Sequence, residues 1–238
     1  MKIPKIIHYC WFGNSPMSKQ AEACLQSWKK HCPDYQIMRW DETNSPLNDN
    51  DYVAQAYRAK KWAFVSDYVR LKAIYEHGGI YLDTDVEIIK PLDVFLDCDA
   101  FIGFEANDKI ATCLMACTPN HSFFGSFLDT YSKRHFIRSD GSYDETTNVV
   151  AITNHLEQFG LLKNGSLQNI ADVAVYPVEY FSPKNLETGK ITITPNTHSI
   201  HYFNASWMSK KQRFNTKLAQ LLGPKLTKIL KTIKKRGV

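Results

Sequence analysis

The chain runs to 238 residues, 44% hydrophobic and 13% aromatic, with a formal net charge of +5. That apolar share excludes a disordered chain and suffices for one sizeable core with an appendage. No apolar run approaches the roughly 18 to 20 residues that a membrane-spanning helix needs.

In chain order, "MKIPKIIHYCWFG" holds one short apolar run, broken by His8, with no small-residue cleavage site. It reads as a first strand ending at Gly13 and not as a signal peptide. Residues 17–32 place Met17, Ala21, Cys24, Leu25, Trp28 and Cys32 at helical spacing, stopped by Pro33. "YQIMRW" predicts a second strand, and the polar stretch from Asp41 to Asp51 a loop. Helices follow over about 51–61 and 63–77, the second ended by Gly78-Gly79. "IYL" is the next strand, then Asp83 and Asp85, then "VEII" and Pro91. "AFIGFE" and "IATCLMAC" predict strands, and "PNHSFFGSFLDTYSKR" a helix opened by Pro119. A loop at 139–145, a helix around 147–159 and short strands near 171–176, 191–194 and 198–203 complete this part. Alternating strands and helices predict an α/β layer architecture with a largely parallel sheet. Ligands in such sheets bind beyond the carboxyl ends of the strands, so the end of "IYL" is a candidate site.

Two carboxylates two residues apart interrupt a segment that otherwise wants burial. An isolated Asp-X-Asp is common, and a solvated turn or a capping carboxylate is its plain explanation. Here a glycine pair and a short apolar strand deliver both acids to a strand end, where in extended backbone they point the same way. Like charges that close need a cation between them. A hard divalent ion holding a diphosphate meets that need, since Mg²⁺ and Mn²⁺ use one or two carboxylates plus phosphate oxygens. Upstream, Asp67 and Arg70 are three apart on one helix face beside a buried stripe. They are either a solvated ion pair or groups projecting into the same cleft, where they would bond sugar hydroxyls and phosphate oxygens.

The segments "IPKIIHYCWFG", "SWKKHCPDYQIMRWD", "SDYVRLKAIYEHGGIYLDTD" and "IHYFNASW" resemble, in order and spacing, glycosyltransferase family 32 over residues 1 to about 207. That group of DxD-containing sugar transferases includes yeast mannosyltransferases and bacterial capsule enzymes. The resemblance implies a GT-A fold, Rossmann-like with a mostly parallel sheet flanked by helices. It also implies a nucleotide-sugar donor (UDP-hexose favoured over GDP-mannose), Mn²⁺ or Mg²⁺ dependence and retention of anomeric configuration. Carried over, Asp85 is the direct metal ligand, and Asp83 contacts the donor and the metal's waters. Asp67 and Arg70 hold the donor sugar. Trp11 lines the base pocket, its alternative being an ordinary core aromatic. His201 is the third metal ligand, whereas His198 falls on the opposite strand face and is structural. Trp207 covers the diphosphate and Ser206 bonds it. Tyr202 stands where many relatives have a second His. On the acceptor side are Glu105, which ends "FIGFE", and Thr147-Asn148, where relatives often carry Thr-Gly-Pro.

For retention, either the acceptor attacks on the face the diphosphate leaves, with a phosphate oxygen taking the proton, or a carboxylate forms a covalent intermediate. Glu105 is the nearest carboxylate for the second route; the first is favoured. Arg70 or a tail lysine would assist the leaving group.

Beyond residue 207 the composition changes. Ten of the 29 Lys and Arg follow Met208 with no Asp or Glu, so the first 207 residues hold 19 basic against 24 acidic side chains, a balance of −5. Phe214, Leu218, Leu221, Leu222, Leu226, Ile229, Leu230 and Ile233 recur at helical intervals, split by Gly223-Pro224. A basic amphipathic helical appendage over 208–238 fits an anionic membrane surface, or a solvated helix packed on the core. With a lipid-linked glycan acceptor, the first choice places the protein peripherally on the inner face of the plasma membrane, serving surface polysaccharide synthesis. Six cysteines without zinc-site or disulfide-scaffold spacing read as free thiols in a reducing cytoplasm. Three rivals stand beside a glycosyltransferase. An aspartate-nucleophile phosphatase is disfavoured by Glu87 where Thr or Val is wanted. A nucleic-acid binder using the basic tail is disfavoured by the acidic core. The third is an inactive sugar-binding module.

Overall fold

The structure is a computed structural model and describes residues 2–106, 108–186 and 188–204. The chain enters through strand β1 (Ile6–Cys10) and helix α1 (Lys19–His31), whose first turn is capped by the Ser18 hydroxyl accepting from the Ala21 N–H. Strand β2 (Gln36–Trp40) lies parallel to β1, and α2 (Asp51–Arg58) is capped by Asn50. Helix α3 (Trp62–His77) then runs into β3 (Gly79–Leu82), the strand that delivers the acids.

The junction between α3 and β3 explains the glycine pair. Gly78 caps the helix at φ +64°, and a Cβ there would lie 2.6 Å from Cδ of Pro119. Gly79 adopts φ +99°, and its Cβ would stand 2.6 Å from the Ile6 carbonyl oxygen. Only a residue without a side chain lets the helix turn this tightly into a strand beside β1. His8 closes the same corner. Its Nε2 bonds the Gly78 carbonyl at 2.8 Å and its Nδ1 accepts from the Trp40 indole at 3.1 Å. A carbonyl only accepts and an indole only donates, so the proton sits on Nε2 and the ring is neutral.

Strands β5 (Ala100–Ala106) and β6 (Lys109–Cys117) form a hairpin, followed by α4 (Ser122–Asp129), α5 (Asn148–Glu157), β7 (Gln168–Ile170) and β8 (Val173–Tyr176). Among the described residues the main sheet has seven strands in the order β2-β1-β3-β6-β5-β8-β7. Pairing directions make five of them run one way, with β6 and β7 opposed. The expected α/β, mostly parallel architecture is thus what forms. Alternation along β3 splits the core. Tyr81 packs with Val65, Val69, Phe124 and Ile152 on one face, while Ile80 and Leu82 pack with Trp28, Leu114 and Phe181 on the other.

A separate two-stranded ladder joins β4 (Val86–Ile88) to β9 (Ser199–His201), pairing Val86 with His201. Helix α6 (Val178–Phe181) precedes β9 in the chain. The strand expected at 191–194 does not form. Ile191 makes one isolated bridge to Lys184, and Ile193 is 52% exposed, so no second face is buried to hold a ladder. The stretch expected as one strand at 171–176 is the second arm of a β7–β8 hairpin, turning through Ala171 and Asp172 at positive φ. The 208–238 appendage, with its membrane reading, and Ser206 and Trp207 lie outside the described residues.

Candidate active site

β3 ends at Leu82, yet the Asp83 N–H still bonds the Cys113 carbonyl of β6 at 2.8 Å. The Val86 N–H then returns to the Asp83 carbonyl at 3.0 Å. This is a β-turn, which corrects the expectation of extended backbone through the acids. The turn folds Asp85 back, and the β4–β9 ladder brings His201 across. One ligand atom each of Asp83, Asp85 and His201 lies within 4.8 Å of the others.

Each acid has its own support. The Asp83 carboxylate accepts from the Tyr81 hydroxyl at 2.9 Å and pairs with Nη1 of Arg70 at 3.2 Å. Asp85 Oδ1 stands 3.3 Å from Nε2 of His201, and Oδ2 accepts the Asn204 N–H at 2.7 Å. Burial opposes the Asp85 charge, but His201 and that N–H outweigh it and hold the carboxyl below its usual range. The Asn204 N–H reaches its target because Phe203 adopts φ +53°, a conformation a bulky residue rarely takes, while its ring backs His201 at 3.9 Å.

His201 is 9% exposed, and its Nδ1 has no hydrogen-bond partner among the described residues. With its Nε2 beside Asp85, the imidazole and the two carboxylates could together hold a divalent ion that takes both oxygen and nitrogen. His198 instead donates Nδ1–H to the Pro91 carbonyl at 2.8 Å and packs edge-on against Phe95, a bracing role.

Asp67 and Arg70 do project beside the acids, both buried. Arg70 Nη2 lies 3.3 Å from Asp67, Nε donates to the Ser66 carbonyl, and Nη1 donates to the Thr112 carbonyl at 2.8 Å. With the Asp83 contact, the guanidinium spends its donors on the protein, and the reading of Arg70 as a donor to phosphate gives way to one in which it fixes Asp83. Burial raises the Asp67 carboxyl to about 6, against the pull of Arg70. Sequence reasoning missed Tyr81 and Thr112, which complete this cluster; Tyr81 was signalled by sharing a strand face with Asp83, two residues on.

The remaining expectations divide. Glu105, near the end of β5, feels His201 and Asp83, and burial pushes its carboxyl up to about 7. Trp11 is half-buried just after β1, with its indole donating to the Ser15 carbonyl at 2.7 Å and its ring against the core around Trp28. Thr147 occupies the N-cap position of α5 without a side-chain capping bond and lines, with Arg138, Tyr143 and Glu145, an open cavity of about 490 Å³. Asn148 is a correction. It is 2% exposed, accepts from the Tyr131 hydroxyl at 2.6 Å and donates to the Asp67 carbonyl at 2.9 Å, so it is buried away from any acceptor.

Strand-end acids with an imidazole on an α/β sheet make a candidate divalent-ion site around an Asp-X-Asp motif, and that motif is one known proteins carry. Residues 18–102 match the family described as "Glycosyltransferase sugar-binding region containing DXD motif", a span that includes Asp67, Arg70, Asp83 and Asp85. The chain is 30% identical over 129 residues to inositol phosphoceramide mannosyltransferase 3 of Schizosaccharomyces pombe, covering 51% of this chain and 35% of that one. It is 26% identical over 205 residues to an uncharacterized glycosyltransferase of Acanthamoeba polyphaga mimivirus, covering 79% of this chain and 76% of that one. A solved structure named PaToxG Glycosyltransferase superposes with a TM-score of 0.50 at 19% identity, covering 66% of this chain and 69% of that one, which shows the shared fold. The chain spans between 35% and 44% of the length of three yeast relatives it matches. Together these findings give the chain a DXD-type glycosyltransferase region over residues 18–102, set in a fold shared with a solved glycosyltransferase. The phosphatase and nucleic-acid alternatives find no support among them.

Proposed function

We propose that the protein is a metal-dependent, retaining hexosyltransferase that uses a nucleotide sugar and a glycan acceptor, lipid-linked and at an anionic membrane surface. The observation that carries this reading is the convergence of Asp83, Asp85 and His201 at a strand end, with both acids inside a DXD-type region. When bound there, Mn²⁺ would neutralise charge on the donor diphosphate. Asp85 and His201 would hold the ion, while Asp83, pinned by Arg70 and Tyr81, faces the donor ribose or sugar. Asp67 and Arg70 keep that wall rigid, and Trp11 is at hand for the base. The acceptor hydroxyl attacks on the departing face and passes its proton to a phosphate oxygen. A Glu105 carboxyl with a pKa of about 7 is half protonated at neutral pH, which suits hydrogen bonding to the sugars better than nucleophilic attack.

The donor remains UDP-hexose as the sequence resemblance favours, with GDP-mannose the competitor that the relatives' names suggest. Names such as inositol phosphoceramide mannosyltransferase also lend support to a lipid-linked acceptor. A panel of UDP- and GDP-sugars, assayed for Mn²⁺-dependent hydrolysis and transfer, tests the reading. Wild-type turnover of at least one donor is expected, with loss of about 100-fold or more in Asp85→Ala. Near-normal transfer by that variant would remove Asp85 from the metal site.

A further inference from the structure

The expected cationic help for the leaving group was Arg70 or a tail lysine. Arg70 is committed to Asp67, Asp83 and Thr112, and the tail lies outside the described residues. A third cation stands at the site. Lys184, three residues beyond α6, donates its Nζ to the Tyr202 carbonyl at 2.7 Å. The Tyr202 N–H in turn donates to the Asp85 carbonyl at 3.0 Å. The Tyr202 ring lies under the ammonium, 5.7 Å from Nζ to its centroid, and its hydroxyl is anchored on Glu87 at 2.5 Å. The lysine is therefore fixed to the stretch of backbone that carries His201 on one side and Asn204 on the other.

Its surroundings are unusual for a lysine. The side chain is half-buried, and no carboxylate pairs with it among the described residues. Burial lowers its pKa, and Asp85 is the charged group that opposes this. An ammonium has three N–H donors, of which the Tyr202 carbonyl takes one. A half-buried ammonium with no carboxylate partner has N–H donors free for an arriving anion. Asp85 is already held by His201 and the Asn204 N–H, so among the described residues no carboxylate is left to meet the ammonium.

We propose that Lys184 is a catalytic residue whose ammonium contacts the donor diphosphate and takes up its charge as it leaves. This rests on the nucleotide-sugar reading given above. In the step, the bond from C1 of the sugar to the β-phosphate oxygen breaks and both electrons leave with the diphosphate. The acceptor oxygen bonds C1, and its proton passes to a diphosphate oxygen. Between bond breaking and proton arrival the diphosphate carries one extra negative charge, and a cation fixed beforehand stabilises that moment without reorganisation.

The test uses the full-length chain and its Lys184→Met and Lys184→Arg variants, titrated with Mn²⁺ alone and with UDP or GDP in the presence of Mn²⁺. Wild type is expected to bind one of the two diphosphates. Lys184→Met should bind it about tenfold or more weakly, with kcat on the active donor down by about 100-fold. Its Mn²⁺ affinity should stay at the wild-type value, and Lys184→Arg should recover part of the diphosphate affinity. Equal diphosphate binding by wild type and Lys184→Met overturns the proposal while leaving the donor reading intact. Loss of Mn²⁺ affinity in step with diphosphate affinity also overturns it, because the lysine then merely props the Tyr202 backbone. A wild-type protein that binds neither diphosphate overturns the donor reading and this proposal together.

Discussion

Arg70 is where charge, packing and chemistry meet in one side chain. Its guanidinium lies 4.6 Å from the centroid of the Tyr81 ring and bridges Asp67 to Asp83. A lysine would keep the charge but not the fork. Arg70→Lys is expected to fold with a lower melting temperature and to lose about 100-fold in transfer, read by calorimetry beside a sugar-transfer assay. Asn148 tests the correction made above. Asn148→Ala strands the Tyr131 hydroxyl and the Asp67 carbonyl, so a loss of about 2 kcal/mol in urea unfolding is expected, with the acceptor KM unchanged. Two buried groups shape the acid limb of stability in opposite senses. The His8 pKa is lowered by burial to about 4 from 6.5, so its contribution is full above pH 6.5 and is lost as pH falls toward 4, about 3 kcal/mol in all. The Asp67 carboxyl is raised from 3.8 to about 6, so folding gains as pH falls through that window. Asp67→Asn should therefore steepen the loss of stability between pH 6.5 and 4, and His8→Gln should flatten it, measured as unfolding free energy against pH.

At the scale of elements, the α3–β3 corner does the positioning. Helix α3 carries Asp67 and Arg70, β3 carries Tyr81 and aims Asp83, and Gly78 alone separates the two elements, with Gly79 opening the strand. Gly79→Ala puts a methyl group against the Ile6 carbonyl at a φ that disfavours side chains. A loss of roughly 2–4 kcal/mol in urea unfolding is expected, with weakened Mn²⁺ affinity, because β3 must slide relative to β1. This corner was legible in the sequence, since a helical period, a glycine stop and a short apolar run leave few alternatives. The turn at Asp83–Val86 was not, because Asp-Thr-Asp is compatible with extended backbone until β9 takes Val86 as a partner. The role of Asn148 was equally hidden, as a polar residue opening a helix looks the same whether it faces solvent or a buried tyrosine hydroxyl. Lys184 carried no local signal, its meaning resting on contacts 18 residues downstream.

At the scale of the whole molecule, charge is divided between a body of −5 and a tail of ten basic residues. Against an anionic bilayer the two would be pushed and pulled in opposite directions, which would orient the body as well as hold it. At about 1 kcal/mol per basic residue near such a surface, deletion of residues 209–238 is expected to release the protein from phosphatidylserine vesicles. Unchanged sedimentation with the vesicles would refute the membrane reading. The sheet order was only partly readable, because the pairing of β3 with β6 and not with a nearer strand is a long-range choice that period and propensity do not encode. The same long-range logic governs the candidate metal ligands. Asp83 and Asp85 are made early, but His201 and the Asn204 N–H come 116 or more residues later. On a ribosome, a nascent chain has the acid half of its site long before the half that neutralises it. Ion capture at the proposed site would therefore be a late event of biosynthesis, reporting that β9 has docked on β4.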